Sequence, residues 1–255
     1  MDPRRRLQNF SKAVLANLLS WCAGFVDAVG WLFVYHVYIS HMTGNTASFG
    51  ISAAQGNWTE AAHHAWPILP FVAGTIFTAF STAAARRRNL HSSFSIALTV
   101  ELALVLVFLF EGSRGGSDRL RIALLAAAMG IQTVTVTRVA GLRIYTTYLT
   151  GSLSKFAEAV VEYGFWFRDR TRGRLRQRLG KVLRVTPRQT YMQHALLTAS
   201  LWATFFAGAF SGAKLRGSIG YKSLALPAVI LAFAIVVDIV RPVAAADEPR
   251  AWDDL

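Results

Sequence analysis

The sequence predicts an all-α membrane protein with six transmembrane helices. They form two inverted three-helix repeats, with a short broken or re-entrant helix after spans one and four. Three observations lead to this prediction: an apolar composition, six apolar runs of spanning length, and a polar motif that occurs twice. Hydrophobic residues make up 53% of the chain and charged residues 16%, whereas soluble domains average about 25% charged residues. The whole chain, 1–255, is expected to form a single integral membrane domain.

Six apolar runs are long enough to be transmembrane helices, because crossing about 30 Å of hydrocarbon requires about 20 residues. The runs are Lys12–Tyr38, Trp66–Ala85, Ser93–Phe110, Arg121–Thr137, His194–Gly212 and Ser223–Val240. Two further helix-like stretches, Thr43–Gln55 and Thr150–Phe167, are too short or too polar to cross.

The distribution of Lys and Arg predicts the orientation, because cytoplasmic loops carry an excess of these residues. With both termini in the cytoplasm, 21 of the 27 Lys and Arg lie inside and six lie outside. The densest block is the basic segment 168–188, in which nine cations alternate with apolar residues. We expect this cytoplasmic loop to contact anionic lipid headgroups. Nucleic-acid binding is the weaker alternative, since no recognition fold accompanies the charge.

Internal similarity divides the chain into a first repeat, 12–111, and a second repeat, 121–241. AGFVDA in the first span aligns with MGIQTV in the fourth, and HMTGNTASFG aligns with YLTGSLSKFA after one residue of slippage. At an offset of 130, TAFSTAAARR aligns with GAFSGAKLRG. Because three is an odd number of spans, the second repeat would enter the membrane from the opposite side, as in many secondary transporters. Chance alignment of alanine-rich helices is the alternative.

The motif T-G-[NS] begins both short helices, and its residues are Thr43, Gly44, Asn45, Thr150, Gly151 and Ser152. Thr and Asn are good N-cap residues, and Gly permits a tight turn. A short helix that dips into the membrane would present unpaired N–H groups to an anion or a carboxylate. The alternative is that the motif only turns the chain and caps an interfacial helix.

Buried polar residues are the candidates for a midplane site. Asp27 lies well inside the first span, where a carboxylate costs at least about 2.5–3.5 kcal/mol unless it is paired or hydrated. It would either couple transport to a proton or cation, or hold the two T-G-[NS] turns as a structural cap. Gln132 and Thr133 are its uncharged counterparts in the second repeat. Glu101, in the third span, is a second buried acid, with a helix–helix hydrogen bond as its alternative role.

Other kinds of chemistry have little support in the sequence. Cys22 is the single cysteine, which excludes an intramolecular disulfide and a thiolate metal cluster. His36, His41, His63 and His64 lack the i, i+4 spacing with an acid that is typical of a hydrolytic zinc helix. We therefore expect no catalytic residue, no metal, no cofactor and no enzyme activity.

The motifs resemble those of the YoaK-like family of bacterial inner-membrane proteins, catalogued as a domain of unknown function. The matching residues are Gly24-Phe25-Val26-Asp27-Ala28, Ser40-His41-Met42-Thr43-Gly44-Asn45-Thr46, Gly130-Ile131-Gln132 and Thr146-Thr147-Tyr148-Leu149-Thr150-Gly151. The resemblance runs from about Leu15 to Val240. It implies a six-span protein of the bacterial inner membrane, and it supplies no substrate. The aromatic stretch WLFVYHVYISH and the arginine run depart from the family pattern.

The function expected from these features is that of a small secondary transporter or permease of an unknown small molecule or ion. The alternatives are a structural or channel-like membrane protein without transport coupling, or an intramembrane enzyme. Gly208 and Gly212 form a G-x-x-x-G pair that is typical of close helix packing, and a homo-oligomer is compatible with the sequence.

Overall fold

A computed structural model of the chain describes residues 3–33, 37–88, 94–114, 117–135, 138–139, 142–171, 185–186 and 189–240. Its helices are α1 (Pro3–Phe33), α2 (Met42–Ala54), α3 (Trp58–Ala65), α4 (Ile68–Arg87), α5 (Ser95–Arg114), α6 (Asp118–Thr133), α7 (Leu149–Thr171), α8 (Thr190–Ile219), a 3₁₀ helix (Gly220–Leu224) and α9 (Ala225–Val240). A short antiparallel hairpin pairs β1 (Arg138–Val139) with β2 (Leu142–Arg143). The predicted all-α class is confirmed. Most of the basic segment 168–188 lies outside the described residues.

Each of the six predicted apolar runs coincides with a helix, but four stretches of the described chain are long and apolar enough to span a membrane. They are Asn9–Phe33, Trp58–Ala85, Ser95–Arg114 and Thr190–Val240. Helix α6 has only 16 residues, short of the roughly 20 that a span requires. The fifth and sixth runs share one apolar stretch of 51 residues, which Gly220 interrupts with a φ of +63°.

Helix α1 is described as far as Phe33, and Tyr38, the predicted end of the span, is not helical. Residues 37–41 have no helical structure, because side chains bind their backbone groups in place of helix carbonyls. The Asn45 amide binds both the N–H and the C=O of Tyr38. The Asp27 carboxylate accepts from the next two N–H groups along the chain. A loop with its backbone satisfied in this way is stable away from water.

Helix α1 lies at the centre of the protein. About 67% of its apolar window is buried, whereas the other three candidate spans are 28–39% buried. It packs against α6, α8, α9 and the 3₁₀ helix, and Leu19, Phe25 and Val29 are among its fully buried side chains. Polar groups on this helix therefore face protein rather than lipid.

Glycines bring α1 and α8 into close contact. A Cβ atom added at Gly24 would lie 2.1 Å from the Phe205 carbonyl oxygen, and one added at Gly208 would lie 2.0 Å from that of Trp21. Only glycine fits such an approach of two backbones. The two helices run parallel, because Ser20 Oγ bonds to the Leu201 carbonyl near the start of the contact and Arg216 bonds to the Leu32 carbonyl near its end.

A second pair, α4 and α6, meets in the same manner. A Cβ atom at Gly74 would lie 2.2 Å from the Ala127 carbonyl oxygen, and one at Gly130 would lie 2.0 Å from that of Phe71. This pair is also parallel, because contacts advance together along both helices. The Trp66 indole bonds to the Arg119 carbonyl, and Thr78 Oγ1, further along α4, bonds to the Ile131 carbonyl.

The two pairs run in opposite directions. The Arg121 guanidinium, near the start of α6, lies 5.3 Å from the centre of the Phe33 ring, at the end of α1. The Gln132 amide, near the end of α6, donates to the carbonyl of Leu19, in the middle of α1, at 2.7 Å. Helices α1 and α6 are therefore antiparallel. Each parallel pair contributes one of them.

Candidate functional site

Asp27 is buried and holds the loop that connects α1 to α2. Its Oδ1 accepts from the N–H groups of Ile39 at 3.1 Å and Ser40 at 2.8 Å. Its Oδ2 accepts from Ser40 Oγ at 2.9 Å and pairs with Nδ1 of His41. Both carboxylate oxygens therefore have two partners, so the hydrogen-bonding capacity of this buried group is satisfied.

Asn45 completes the loop from the other side. It is fully buried, with its Nδ2 donating to the Tyr38 carbonyl at 2.6 Å and its Oδ1 accepting from the Tyr38 N–H at 3.1 Å. The Tyr38 ring covers Gly44, where a Cβ atom would lie 3.0 Å from Cδ2 of that ring. Thr43 is exposed. We call Asp27, Tyr38, Ser40, His41 and Asn45 the first polar cluster.

The expectation that Thr43 and Asn45 act as N-caps is wrong. Helix α2 begins at Met42 with His41 as its N-cap residue, and no side chain caps it. Thr43 and Asn45 therefore lie inside the first turn. The reason is physical: the Asn45 amide is already engaged by the preceding loop, so it is not available to the N–H groups of its own helix.

His41 is the partly exposed member of the first polar cluster, and 38% of its side chain is accessible. Its ring also packs edge-on against Phe205 of α8, with centroids 5.8 Å apart. Burial lowers the pKa of the His41 imidazole, but the hydrogen bond and the negative charge of Asp27 outweigh burial and leave this pKa above its ordinary value. The charged pair with Asp27 is thereby favoured.

Thr133 makes the corresponding contact in the second half. Its Oγ1 lies 2.7 Å from Oγ1 of Thr147, and it also donates to the Met129 carbonyl. Thr146 donates to the carbonyl of Gln132 at 3.3 Å. We call Gln132, Thr133, Thr146 and Thr147 the second polar cluster. Like the first, it binds the end of a helix to the loop that precedes a T-G-[NS] motif.

The second T-G-[NS] motif also lies in the first turn of its helix, because α7 begins at Leu149. Thr150 is exposed, as Thr43 is. Gly151 lies beneath the ring of Tyr148, and Ser152 is buried and donates to the Tyr148 carbonyl at 3.3 Å. In both motifs a tyrosine ring therefore covers the glycine.

Glu101 lies apart from both clusters, on the buried face of α5. It is completely buried, and neither of its carboxylate oxygens has a hydrogen-bond partner among the described residues. Gln132 Oε1 is also buried without a hydrogen-bond partner among the described residues. Buried polar atoms without a partner are rare in folded proteins.

The described hydrogen bonds do not place the ten predicted site residues in a single site. Asp27 joins the loop before the first motif, Thr133 joins the loop before the second, and Glu101 stands by itself. Ser40 and Thr147 were missed as members of a site. The signal that could have identified the loop partners is a spacing of 14 residues, which separates Asp27 from His41 and Thr133 from Thr147.

The buried polar clusters, the long apolar helices and the interlocked helix pairs define an integral membrane protein of the α-helical class. The chain belongs to the family described as "Protein of unknown function (DUF1275)", whose profile matches residues 15–237. This finding confirms the resemblance read from the motifs.

One relative is the UPF0700 transmembrane protein YoaK of Bacillus subtilis (strain 168). The chain is 27% identical to it over 148 residues, which are 57% of this chain and 66% of the relative. The match thus spans slightly less than two thirds of that protein's length. It supports a multi-pass membrane protein. No solved structure matches the chain.

Proposed function

We propose that this protein is a small secondary transporter or permease built from two inverted three-helix repeats, with its solute path between them. The observation that carries the proposal is that the two close helix crossings repeat each other in register. Such inverted repeats, which meet around a polar site in the membrane, are a common plan of secondary transporters.

The register of the crossings is constant. Gly24 and Gly130 are 106 positions apart. Trp21 and Ala127, whose carbonyl oxygens face the glycines of α8 and α4, are also 106 positions apart. On the partner helices, Phe71 and Phe205 are 134 positions apart, and the same offset relates Gly74 to Gly208. One pair of offsets therefore relates four backbone contacts.

The offset of 134 differs from the 130 found by aligning sequence letters. The difference is four residues, about one turn of an α-helix. A shift of one turn keeps the same helix face toward the partner, so an alignment of alanine-rich segments tolerates it. The contacts favour the register of 134.

The polar clusters follow the same relation as the helices. Asp27 and Thr133 are 106 positions apart, and so are His41 and Thr147, their respective partners. The first half uses an ion pair at this position, and the second uses a neutral hydrogen bond. Two equivalent contacts with different chemistry suit a protein whose halves exchange roles during a transport cycle.

The directions in which the helices run also support the proposal. Under an inverted repeat, α1 is equivalent to α6 and α8 to α4, so each pair should run parallel internally and opposite to the other. The contacts of Ser20 with Leu201 and of Thr78 with Ile131 agree with this relation, as does the antiparallel contact of Leu19 with Gln132.

Reconstitution of the full chain in liposomes tests the function. Proteoliposomes loaded with the pH dye pyranine would be offered separate panels of carboxylates, inorganic anions, amino acids and organic cations. We expect one class to cause a protein-dependent flux that Asp27→Asn reduces and that Glu158→Gln, which changes an exposed acid on α7, leaves unchanged. Fluxes equal to those of protein-free liposomes for all panels would contradict transport.

A structural membrane protein is the second candidate, and the complete set of partners around Asp27 favours it. In that case the carboxylate only secures the loop between α1 and α2. Asp27→Asn would then lower stability without changing any solute flux.

A further inference from the structure

Glu101 differs from Asp27 in what surrounds its carboxylate. Asp27 has a full set of donors, whereas both oxygens of Glu101 lack a hydrogen-bond partner among the described residues. An ionised carboxylate without partners is very costly in an apolar interior, and it is stable there only when neutralised. The two acids therefore have different tasks.

The described residues that share a helix face with Glu101 offer its carboxylate no hydrogen-bond donor. Its neighbours on the buried face of α5 are apolar, and they are Ala97, Leu98, Val105 and Phe108. Helix α6, which packs against α5, carries a further buried acceptor without a described donor, Oε1 of Gln132.

No described cation is placed to neutralise Glu101. Helix α5 packs against α4, α6, α9 and the 3₁₀ helix. The described contacts of two of their groups are with other residues: Arg121 of α6 is bound to Asp118 and to the Glu111 carbonyl, and Tyr221 of the 3₁₀ helix contacts Gly112 near the far end of α5. Arg87, at the end of α4, is exposed, and Asp238 of α9 is another acid.

We infer that Glu101 is the proton-carrying residue of this protein, neutral in the described conformation and exchanging its proton with water when the interior opens. The proton adds to one carboxylate oxygen, which becomes a donor, and the other oxygen remains an acceptor. A proton needs only this single site, whereas a metal cation would need several oxygen ligands. The role as coupling ion rests on the proposed transport function. The protonation itself does not.

Infrared spectroscopy of the full chain in lipid tests the inference without a known solute. The C=O stretch of a protonated carboxylic acid is expected at neutral pH in the wild type and in the variants Asp27→Asn, Asp238→Asn and Glu158→Gln. Glu101→Gln should abolish it, and Glu101→Asp should retain a shifted band. Transfer to D₂O should shift the wild-type band, because a carried proton exchanges with water.

Four results would overturn the inference. A band that Glu101→Gln leaves unchanged would assign the neutral acid to another residue, and the absence of any band would show that Glu101 is ionised. A band that does not respond to D₂O would mark a permanently neutral structural acid. A band that Na⁺ removes and choline does not would identify a metal-cation site instead. If no solute flux is detected but the infrared spectra are as expected, transport is rejected and the protonation of Glu101 is still supported.

Discussion

Replacing Asp27 by Ala should be among the most destabilising single changes in the protein. The substitution leaves the N–H groups of Ile39 and Ser40 buried without an acceptor and removes the partner of His41. An unsatisfied buried group costs about 1–3 kcal/mol. Because two N–H groups lose their acceptor at once, we expect a loss of about 2–6 kcal/mol.

Matched variants separate the contributions to this loss. Asp27→Asn keeps an acceptor for the two N–H groups and should cost about 1–2 kcal/mol. His41→Gln removes a partly exposed partner and should cost less than about 1 kcal/mol. Thr133→Val, in the second polar cluster, loses neutral hydrogen bonds and should cost about 1 kcal/mol.

Reversible unfolding in mixed detergent micelles measures these free energies. The reasoning predicts the order Asp27→Ala, then Asp27→Asn, then His41→Gln. If Asp27→Ala costs no more than His41→Gln, the carboxylate does not hold the loop, and the explanation for the non-helical structure of residues 37–41 fails with it.

Three further predictions concern packing, pH and topology. Replacing Gly24, Gly74, Gly130 or Gly208 by Ala should destabilise the fold by about 1–3 kcal/mol in each case, because the added Cβ atom would overlap a carbonyl oxygen. Gly164→Ala, in the open part of α7, should be neutral or stabilising. Equal effects at all five positions in the same unfolding assay would contradict the described crossings. The pKa of His41 is raised in the folded protein. The stability that protonated His41 contributes is therefore complete below about pH 6.5 and is lost as the pH rises through the higher folded-state pKa. Across neutral pH, the melting temperature should fall more steeply for the wild type than for His41→Gln. After replacement of Cys22 by Ser, a single cysteine at position 57 should react with an impermeant thiol reagent from outside, and one at position 87 should react from inside. Labelling of both from the same side would contradict the six-span topology.

The sequence was a good guide to the helices because membrane spans are selected for apolar length. The short helices after the first and fourth runs were also predictable, and α2 and α7 begin one residue before Thr43 and Thr150. The span count was less predictable. Helix α6 carries charged residues in its first turn, so composition alone cannot decide how much of it lies in hydrocarbon.

The partners of the polar residues could not be read from the chain. Asp27 is recognisable as a buried acid, but its binding to the loop before Met42 depends on where helical structure stops, and no local pattern marks residues 37–41 as non-helical. The reciprocal contacts of Gly24 and Gly208 depend on a crossing of helices almost 200 residues apart in the chain. Long-range contacts of this kind leave only glycines in the sequence, and glycines have many other uses.

The central claim is that the two halves enter the membrane from opposite sides, and labelling of the two T-G-[NS] threonines tests it most directly. Thr43 and Thr150 are both exposed, and each is the second residue of its helix. In a chain with Cys22 replaced by Ser, a cysteine at Thr43 should react with an impermeant thiol reagent in right-side-out vesicles, and a cysteine at Thr150 should react in inside-out vesicles. Reaction of both cysteines from the same side of the membrane would contradict the inverted repeat and the transport mechanism that depends on it.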